Sequence, residues 1–252
     1  VSSFEYNNLK SLEKELKKRP VAAVMIEPQA LTFPEPGFLE GVRKLCDKYE
    51  ALLIFDEVVS GFRWDIGGAQ KYFGVTPDLC CLGKAIANGM PISAIAGKEK
   101  YMQELNHAFF SMTFGGECLS LSAAIETIKE LKTKDYSYIW ELGNMLDKGI
   151  KEAAKKHNIE INLAGSAPRH NLSFPTSYKD PQGMKAVFYQ EMVKQGIFFP
   201  NVIYISFAHT KKDIQKTIKA ADKAFKFLKA NLNNLESVLE GKKSIDIFRK
   251  NT

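Results

Sequence analysis

Two polar residues in this chain, a lysine and an acid, each follow an apolar run of the kind that forms a buried strand. Lys84 comes two residues after the run 78–82, and Asp56 directly follows the run 52–55. A lysine at the end of a buried strand can be desolvated, which favours the neutral amine that acts as a nucleophile. Strand ends also carry solvated, inert lysines. The functional interpretation of Lys84 therefore depends on the acid that ends the preceding strand.

An acid and a lysine that close two successive buried strands match what a pyridoxal phosphate site needs. Asp56 can keep the pyridine nitrogen of that cofactor protonated, which makes the ring an electron sink. Residues two apart on a strand share a face, so we expect Val58 to pack on the same ring while Glu57 points the opposite way into a structural role. Taken alone, Asp56 fits a helix cap or a salt bridge at a strand end better than a role at a cofactor.

The elements that must position these residues alternate along the chain. Apolar runs predict strands at 21–26, 52–55, 78–82 and 92–96, and helical spacing predicts one helix that ends before Pro20 and another over 38–49. Strands that alternate with helices indicate an α/β fold with a mainly parallel sheet. Ligands gather at the carboxyl ends of such strands, which is where Glu27, Asp56 and Lys84 fall.

A second, smaller α/β unit is predicted in the C-terminal half. A helix predicted at 119–131 precedes this unit. Within the unit, helical spacing covers 136–156, 184–195 and 213–228, and short apolar runs predict strands at 159–163, 170–174 and 202–207. We therefore expect three parts. Residues 1–132 would belong to a larger cofactor-binding domain, residues 133–230 would form a small C-terminal α/β domain, and residues 231–252 would be a polar, loosely held tail.

The composition disfavours several other classes of protein. The net charge of +6 comes from 35 basic and 29 acidic residues, and the lysine surplus follows the polar face of the predicted helix 213–228, so nucleic acid is not an expected partner. The four cysteines form no Cys-x-x-Cys pair, which argues against a zinc site. No apolar run is long enough to cross a bilayer, so we expect a cytoplasmic protein with reduced thiols and no membrane partner.

Two longer motifs around the lysine and the acid resemble a known enzyme family. The motifs are Ala51-Leu-Leu-Ile-Phe-Asp56-Glu-Val58-Val-Ser-Gly61-Phe-Arg63 and Tyr72-Phe-Gly74-Val-Thr-Pro77-Asp78-Leu79-Cys-Cys-Leu82-Gly83-Lys84, the second followed by Gly89-Met-Pro91. They resemble the class III (subgroup II) pyridoxal phosphate-dependent aminotransferases, and most of all the glutamate-1-semialdehyde 2,1-aminomutase branch. The resemblance runs from about residue 4 to about residue 228. It implies aminotransferase fold type I, of which this chain, opening on valine, would be a C-terminal portion.

The resemblance implies roles for five residues. Lys84 would form the internal aldimine and carry the proton between substrate carbon and cofactor, and Asp56 would pair with the pyridinium nitrogen. Val58 would lie against the ring, and Gln29, after a Glu-Pro motif, near the ring hydroxyl. Thr113 would bind the cofactor phosphate of a neighbouring subunit, and a hydroxyl beside two glycines before a helix suits an anion, although the glycines alone are also typical of a simple turn. Family members are homodimers with the site at the interface.

Departures from the family pattern lie on the substrate side. The loop after Glu27 and Pro28 is shorter than in the aminomutases, and the segment 199–209 lacks an acidic residue before its strand. We therefore expect an aminotransferase that moves an amino group between a small amino donor and a different carbonyl substrate, such as a sugar or another biosynthetic intermediate. The glutamate-1-semialdehyde aminomutase of tetrapyrrole biosynthesis is the alternative.

The N-terminal half of the family, with a second phosphate-binding loop and an aromatic residue that stacks on the ring, has no counterpart in these 252 residues. A truncated, non-catalytic fragment that binds no cofactor therefore stays open as a hypothesis. A lyase that uses Lys84 without a cofactor is the remaining hypothesis. It ranks last because such an enzyme would not need Asp56.

Trp64 and Arg63 are expected on the rim of the cofactor loop.

Overall fold

The structure, a computed structural model, describes residues 1–29, 32–109, 112–200 and 202–243. They form two compact units, residues 1–136 and the residues that follow. The boundary expected after residue 132 falls inside the first unit, and the division into functional domains stays a prediction. No helix in the described part of the chain is both long and apolar enough to cross a membrane.

The first unit alternates strands and helices as the sequence predicts. Its elements are α1 (Leu9–Lys18), β1 (Ala23–Ile26), α2 (Phe38–Lys48), β2 (Leu52–Asp56), α3 (Gly68–Phe73), β3 (Leu79–Leu82), β4 (Ala94–Gly97), α4 (Glu99–Met102) and α5 (Cys118–Leu131), with 3₁₀ turns at Lys84–Ala87 and Gln103–Asn106. The apolar residues of α1 and α2 recur at helical spacing, so each helix buries one face against the sheet.

The sheet of this unit is mixed and mostly parallel. Its strand order is β1-β2-β3-β4, with β1, β2 and β3 parallel and β4 antiparallel to β3. This confirms the predicted α/β class. In the register of β2 and β3, Phe55 pairs with Cys80 and Asp56 with Cys81. The carboxyl ends of β2 and β3 therefore lie side by side.

The strand β4 forms one edge of the sheet among the described residues. Three of its four residues, from Ile95 to Gly97, are exposed. The Lys98 N–H donates to the Asp78 carbonyl oxygen, and hydrogen-bonded pairs alternate along an antiparallel ladder, so the backbone groups of Ile95 and Gly97 point away from β3. Within the part of the chain that the structure describes, this edge thus carries backbone donors and acceptors without a hydrogen-bond partner, on an uncharged strand.

The second unit packs helices on a three-stranded antiparallel sheet. Its elements are α6 (Ser137–Lys156), β5 (Asn162–Ser166), β6 (Arg169–Ser173), α7 (Pro181–Lys194), β7 (Val202–Tyr204), α8 (Lys211–Ala230) and α9 (Leu235–Val238), with sheet order β5-β6-β7. Two phenylalanines from α7 and α8, Phe188 and Phe225, meet in the core with ring centroids 4.6 Å apart.

Two expectations for this unit need correction. The strand expected at 159–163 begins only at Asn162, because the Ile159 N–H still bonds to the Ala154 carbonyl oxygen and closes the preceding helix. The tail expected to be loosely held is anchored as far as residue 243. Leu235 is buried, and Gln190 Nε2 donates to the Val238 carbonyl oxygen at 2.9 Å. Residues 244–252 lie outside the described part.

Candidate active site

Asp56 is the last residue of β2 and lies beside Cys81 on β3. Burial and then the negative charge of Asp56 raise the pKa of the Cys81 thiol. Asp56 Oδ1 accepts a hydrogen bond from the Val58 N–H at 3.0 Å, so the chain turns directly after the acid. The prediction that Val58 continues the strand is therefore wrong, because the side chain of Asp56 caps the strand end.

Val58 nevertheless lies next to the residue that precedes the lysine. A Cβ atom built on Gly83 would stand 3.3 Å from Val58 Cγ1 and 3.9 Å from Val58 Cβ. The turn after β2 is thus in contact with the chain after β3. This contact brings Asp56, Val58 and Lys84 into one small region, as the sequence predicts.

Lys84 opens the 3₁₀ turn after β3 with an unusual backbone conformation. Its φ angle is +44°, in the left-handed region. That conformation costs a non-glycine residue about 1–2 kcal/mol, and such strain concentrates at functional sites. The side chain of Lys84 is exposed, so the desolvation expected at a buried strand end does not come from this unit.

Glu57 has the structural surroundings predicted for it. Its side chain is fully buried, and its two carboxylate oxygens accept from the Ser60 hydroxyl, from the backbone N–H groups of Ala69 and Gln70, and from Gln70 Nε2. These donors lie at both ends of the loop that connects β2 with α3. The carboxylate therefore holds the two ends of this loop together.

Gln29 does not face an open site. Only 1% of the residue is exposed, and its Oε1 accepts a hydrogen bond from the Trp64 indole N–H at 2.6 Å. The expectation that Trp64 lies on a rim is wrong, because the indole is buried and takes Gln29 as the acceptor it needs. A direct contact between Gln29 and a bound ring would require this pair to open. Ala30 and Leu31, in the loop that departs from the family pattern, lie outside the described residues.

Thr113 lies in an exposed turn that leads into α5. Sequence reasoning missed its neighbour Glu117, which caps α5 and accepts from the N–H groups of Leu119 and Ser120, each at 2.7 Å. The Ser120 hydroxyl and these N–H groups lower the pKa of Glu117. Glu117 thus occupies these donors of α5, and the Gly115 and Glu117 N–H groups of the turn bond to the Met112 and Phe114 carbonyl oxygens.

A second buried carboxylate, Asp78, was also missed. It lies just before β3 and accepts from Arg43 Nη1 at 2.8 Å, from Lys98 Nζ at 2.6 Å and from the Leu53 N–H at 2.8 Å. Burial by itself would raise the pKa of Asp78, but these donors hold it below its ordinary value. The partners are 35, 20 and 25 residues away along the chain, and no sequence spacing pointed to them.

A groove of about 490 Å³ lies between the loop that follows Gly61 and the strands β3 and β4. Neither Asp56, Val58 nor Lys84 lines it. The predicted site residues lie instead at the carboxyl edge of the sheet.

The residues at that edge fit pyridoxal phosphate. Asp56 offers a carboxylate acceptor, Val58 an apolar side chain against Gly83, and Lys84 an exposed amine. This donor set matches the lysine and acid that such cofactors require. An α/β unit with an acid and a lysine at the ends of adjacent parallel strands defines the class of pyridoxal phosphate enzymes with this fold.

The chain belongs to the class III aminotransferases. The family model described as Aminotransferase class-III matches residues 3–224, and the cofactor of this family is pyridoxal 5′-phosphate. The family membership confirms the resemblance predicted from the two motifs, and it identifies the chain as derived from an enzyme.

Curated relatives carry the name of the branch that the sequence resembles. Glutamate-1-semialdehyde 2,1-aminomutase 1 of Staphylococcus carnosus is 39% identical over 87% of this chain and 56% of the relative. Glutamate-1-semialdehyde 2,1-aminomutase 2 of Anoxybacillus flavithermus is also 39% identical, with the same coverage. The chain thus spans about half the length of the curated relatives that it matches.

Solved structures share the fold. The FumI protein of Sphingopyxis sp. MTA144, in its PLP internal aldimine form, is 28% identical with a TM-score of 0.85, over 93% of this chain and 59% of that chain. A glutamate-1-semialdehyde aminomutase from Pseudomonas aeruginosa is 23% identical with a TM-score of 0.78, over 89% of this chain and 56% of that one. The second likeness concerns the fold alone.

Proposed function

We propose that this chain supplies the cofactor lysine and the pyridinium-binding acid of a pyridoxal phosphate-dependent aminotransferase. The observation that carries the proposal is the juxtaposition of Asp56 and Lys84 at the ends of adjacent parallel strands, with Val58 against Gly83 between them. A lyase that worked through Lys84 alone would not need this arrangement.

Each of the three residues has a distinct task. When bound, the cofactor supplies an electron sink for the bond that breaks at the amine-bearing carbon. Asp56 would keep a proton on the ring nitrogen, and Val58 would lie against the face of the ring. Lys84 would hold the cofactor through Nζ, and its amine, once freed by the donor amine, would take a proton from the amine-bearing carbon of the substrate and deliver it to the cofactor. With water as the co-reactant, the donor would leave as a carbonyl compound, and a carbonyl acceptor would receive the amino group and release one water.

Thr113 is the proposed contact to the cofactor phosphate of a partner subunit in a homodimer. Exposed apolar side chains recur along the chain on both sides of it: Phe109, Met112, Phe114, Leu119, Leu121 and Ile125. Single exposed apolar residues are ordinary, but this many in one stretch of chain favour an interaction surface. A second copy is the occupant that would bring Thr113 to a cofactor. Light scattering should then give twice the chain mass, and Leu119→Asp should return the protein to a monomer.

The test of the cofactor lysine is covalent trapping. The chain is mixed with pyridoxal phosphate and reduced with borohydride, and the modified lysine is identified by peptide mapping. We expect a reduced adduct on Lys84, lost in Lys84→Ala and retained in Lys129→Ala, which removes an exposed lysine of α5. The same measurement is made on the chain extended at its N-terminus with the preceding part of the Staphylococcus carnosus relative. Absence of an adduct on Lys84 in both forms would contradict the proposal and favour an inert fragment.

The second candidate reaction is the isomerisation named in the relatives, supported by the 39% identity to aminomutases. An aminomutase converts glutamate 1-semialdehyde to its isomer without a separate amino donor. An aminotransferase instead leaves one carbonyl product for each donor consumed. Incubation of the extended chain with the semialdehyde alone, followed by chromatography that separates the semialdehyde from its isomer, distinguishes the two. Isomer formed without a donor would replace our preferred reaction with the aminomutase.

A further inference from the structure

Glu57 combines complete burial with a place in sequence directly after the proposed pyridinium acid. Four donors converge on its two oxygens: the Ser60 hydroxyl at 2.9 Å, the Ala69 N–H at 2.7 Å, the Gln70 N–H at 2.9 Å and Gln70 Nε2 at 3.2 Å. A buried carboxylate with this many partners is fixed in one orientation. The backbone of residue 57 is therefore fixed as well.

The surrounding chain is shaped to fit this carboxylate. The Gly61 N–H donates to the backbone carbonyl oxygen of Glu57 at 2.8 Å, which closes the first turn of the loop. At the other end of the loop, Gly68 has a φ of +73°, and a Cβ atom there would stand 2.4 Å from Glu57 Oε2. Only glycine meets both demands. The loop from 58 to 67 is thus tied to Glu57 at its beginning and its end.

We propose that Glu57 is a positioning residue for the cofactor site. Asp56 is fixed on one side by its strand and on the other by Glu57, whose N–H bonds to the Cys81 carbonyl oxygen at 2.9 Å. Val58 is the next residue in the chain, so the fixed backbone of residue 57 holds its side chain against Gly83. Glu57 thereby sets the spacing between the turn that carries Val58 and the segment that begins with Lys84. This inference rests on the proposed function, because the spacing serves catalysis only if the site holds the cofactor.

The two acceptor oxygens of the side chain matter as well as its volume. All four partners donate hydrogen bonds to these oxygens. In Glu57→Gln the amide nitrogen must face at least one N–H group, from Ala69 or Gln70, and two donors then oppose each other in a buried setting. We expect the loop to shift and the contact between Val58 and Gly83 to open.

The contact can be measured without any cofactor. The distance of 3.9 Å from an ideal Cβ of Gly83 to Val58 Cβ lies in the range that a disulfide spans. The double substitution Val58→Cys with Gly83→Cys should therefore form a bridge in oxidised glutathione, identified by peptide mapping against the four native cysteines.

The same bridge is then followed with Glu57→Gln added, and separately with Asp78→Asn added as a matched control. Both additions convert a buried carboxylate into an amide, and rates are compared at conditions of equal folded fraction. We expect bridge formation to slow at least tenfold with Glu57→Gln and to change less than twofold with Asp78→Asn. Equal rates with and without Glu57→Gln would overturn the positioning role.

Trapping by borohydride provides the second readout. In the single Glu57→Gln variant, the concentration of pyridoxal phosphate that gives half-maximal adduct on Lys84 should rise at least tenfold, while Asp78→Asn leaves it unchanged at equal folded fraction. An unchanged value would also contradict the proposal. Failure of the proposed function has a different signature, namely no adduct on Lys84 in the parent chain together with a bridge rate that still depends on Glu57.

Discussion

The two ends of the parallel strands in the first unit are built in opposite ways. Near the start of β3, Asp78 is buried and bound by Arg43, Lys98 and the Leu53 N–H. At the carboxyl ends, Asp56 is half-buried with one local hydrogen bond, and Lys84 is exposed with a left-handed backbone. The first end satisfies Asp78 internally, whereas the carboxyl end leaves Asp56 and Lys84 available to a ligand.

The difference shows how a small sheet serves both stability and chemistry. A fully paired carboxylate contributes to folding but offers nothing to a substrate, since its lone pairs are taken. Strained or open polar groups cost stability and can be kept only where the rest of the fold compensates. We therefore expect identical substitutions at the two ends to have unequal effects.

The largest effect is expected from Asp78→Asn. The amide neutralises neither the mostly buried Arg43 nor the half-exposed Lys98, so Arg43 loses its buried counter-charge, and we expect a loss of roughly 3 kcal/mol in the free energy of unfolding. Urea denaturation measures this value. The control Glu126→Gln breaks an exposed pair with Lys129 and should cost less than about 0.5 kcal/mol. Similar costs for the two substitutions would remove the contrast between the strand ends.

The pH dependence of stability should follow Asp78. Because its pKa is lowered in the folded state, the folded protein binds its proton less readily than the unfolded chain does. Its contribution is therefore fully present above the ordinary value of 3.8 and is lost as the pH falls through and below that value. Urea titrations from pH 6 to pH 3 should show a smaller loss for Asp78→Asn than for the parent. A parallel loss in both proteins would assign the acid sensitivity to other carboxylates.

A smaller effect, of the opposite sign, is expected at Lys84. Glycine adopts positive φ without strain, so Lys84→Gly should be more stable than Lys84→Ala by about 1 kcal/mol. At Lys129, inside α5, the order should reverse, with glycine less stable than alanine by about 1 kcal/mol. Thermal unfolding of the four variants provides the comparison. The same order at both positions would mean that Lys84 carries no backbone strain.

The smallest effect is expected from Asp56→Asn. The amide oxygen can still accept from the Val58 N–H, so the free energy of unfolding should change by no more than about 0.5 kcal/mol. The trapping of pyridoxal phosphate on Lys84 should nevertheless weaken, because an amide does not keep the ring nitrogen protonated. A loss of stability as large as that of Asp78→Asn would show that both ends of the sheet are structural.

The order of strands and helices was predictable because each apolar run has a clear period. Leucines of α1 and the run before Asp56 follow helical and strand spacing, and the carboxyl edge of a parallel sheet then brings Asp56 near Lys84. The turn at Val58 was not predictable from these periods. It depends on the hydrogen bond from the Val58 N–H to the side chain of Asp56, the last strand residue. The shift of β5 has a similar origin in the local closure of α6 at Ile159.

Contacts between distant polar residues could not be inferred in the same way. The pairing of Gln29 with Trp64 joins residues 35 apart, and three of the four donors to Glu57 belong to Ala69 and Gln70 in α3, beyond a loop whose path the sequence does not state. Such pairs are specified by the folded geometry rather than by any local pattern. Glu117 is the exception, because an acid at the start of a predicted helix is a capping signal that the sequence does contain.

The free edge of β4 has a consequence for how this polypeptide behaves before it is fully assembled. Natural edge strands commonly discourage pairing with charges, proline or a bulge, and Ala94–Gly97 carries neither charge nor proline. The outward backbone groups of Ile95 and Gly97 can therefore recruit any extended chain, including another copy at high concentration. During synthesis, the speed with which a correct neighbour covers this edge would decide between productive folding and aggregation.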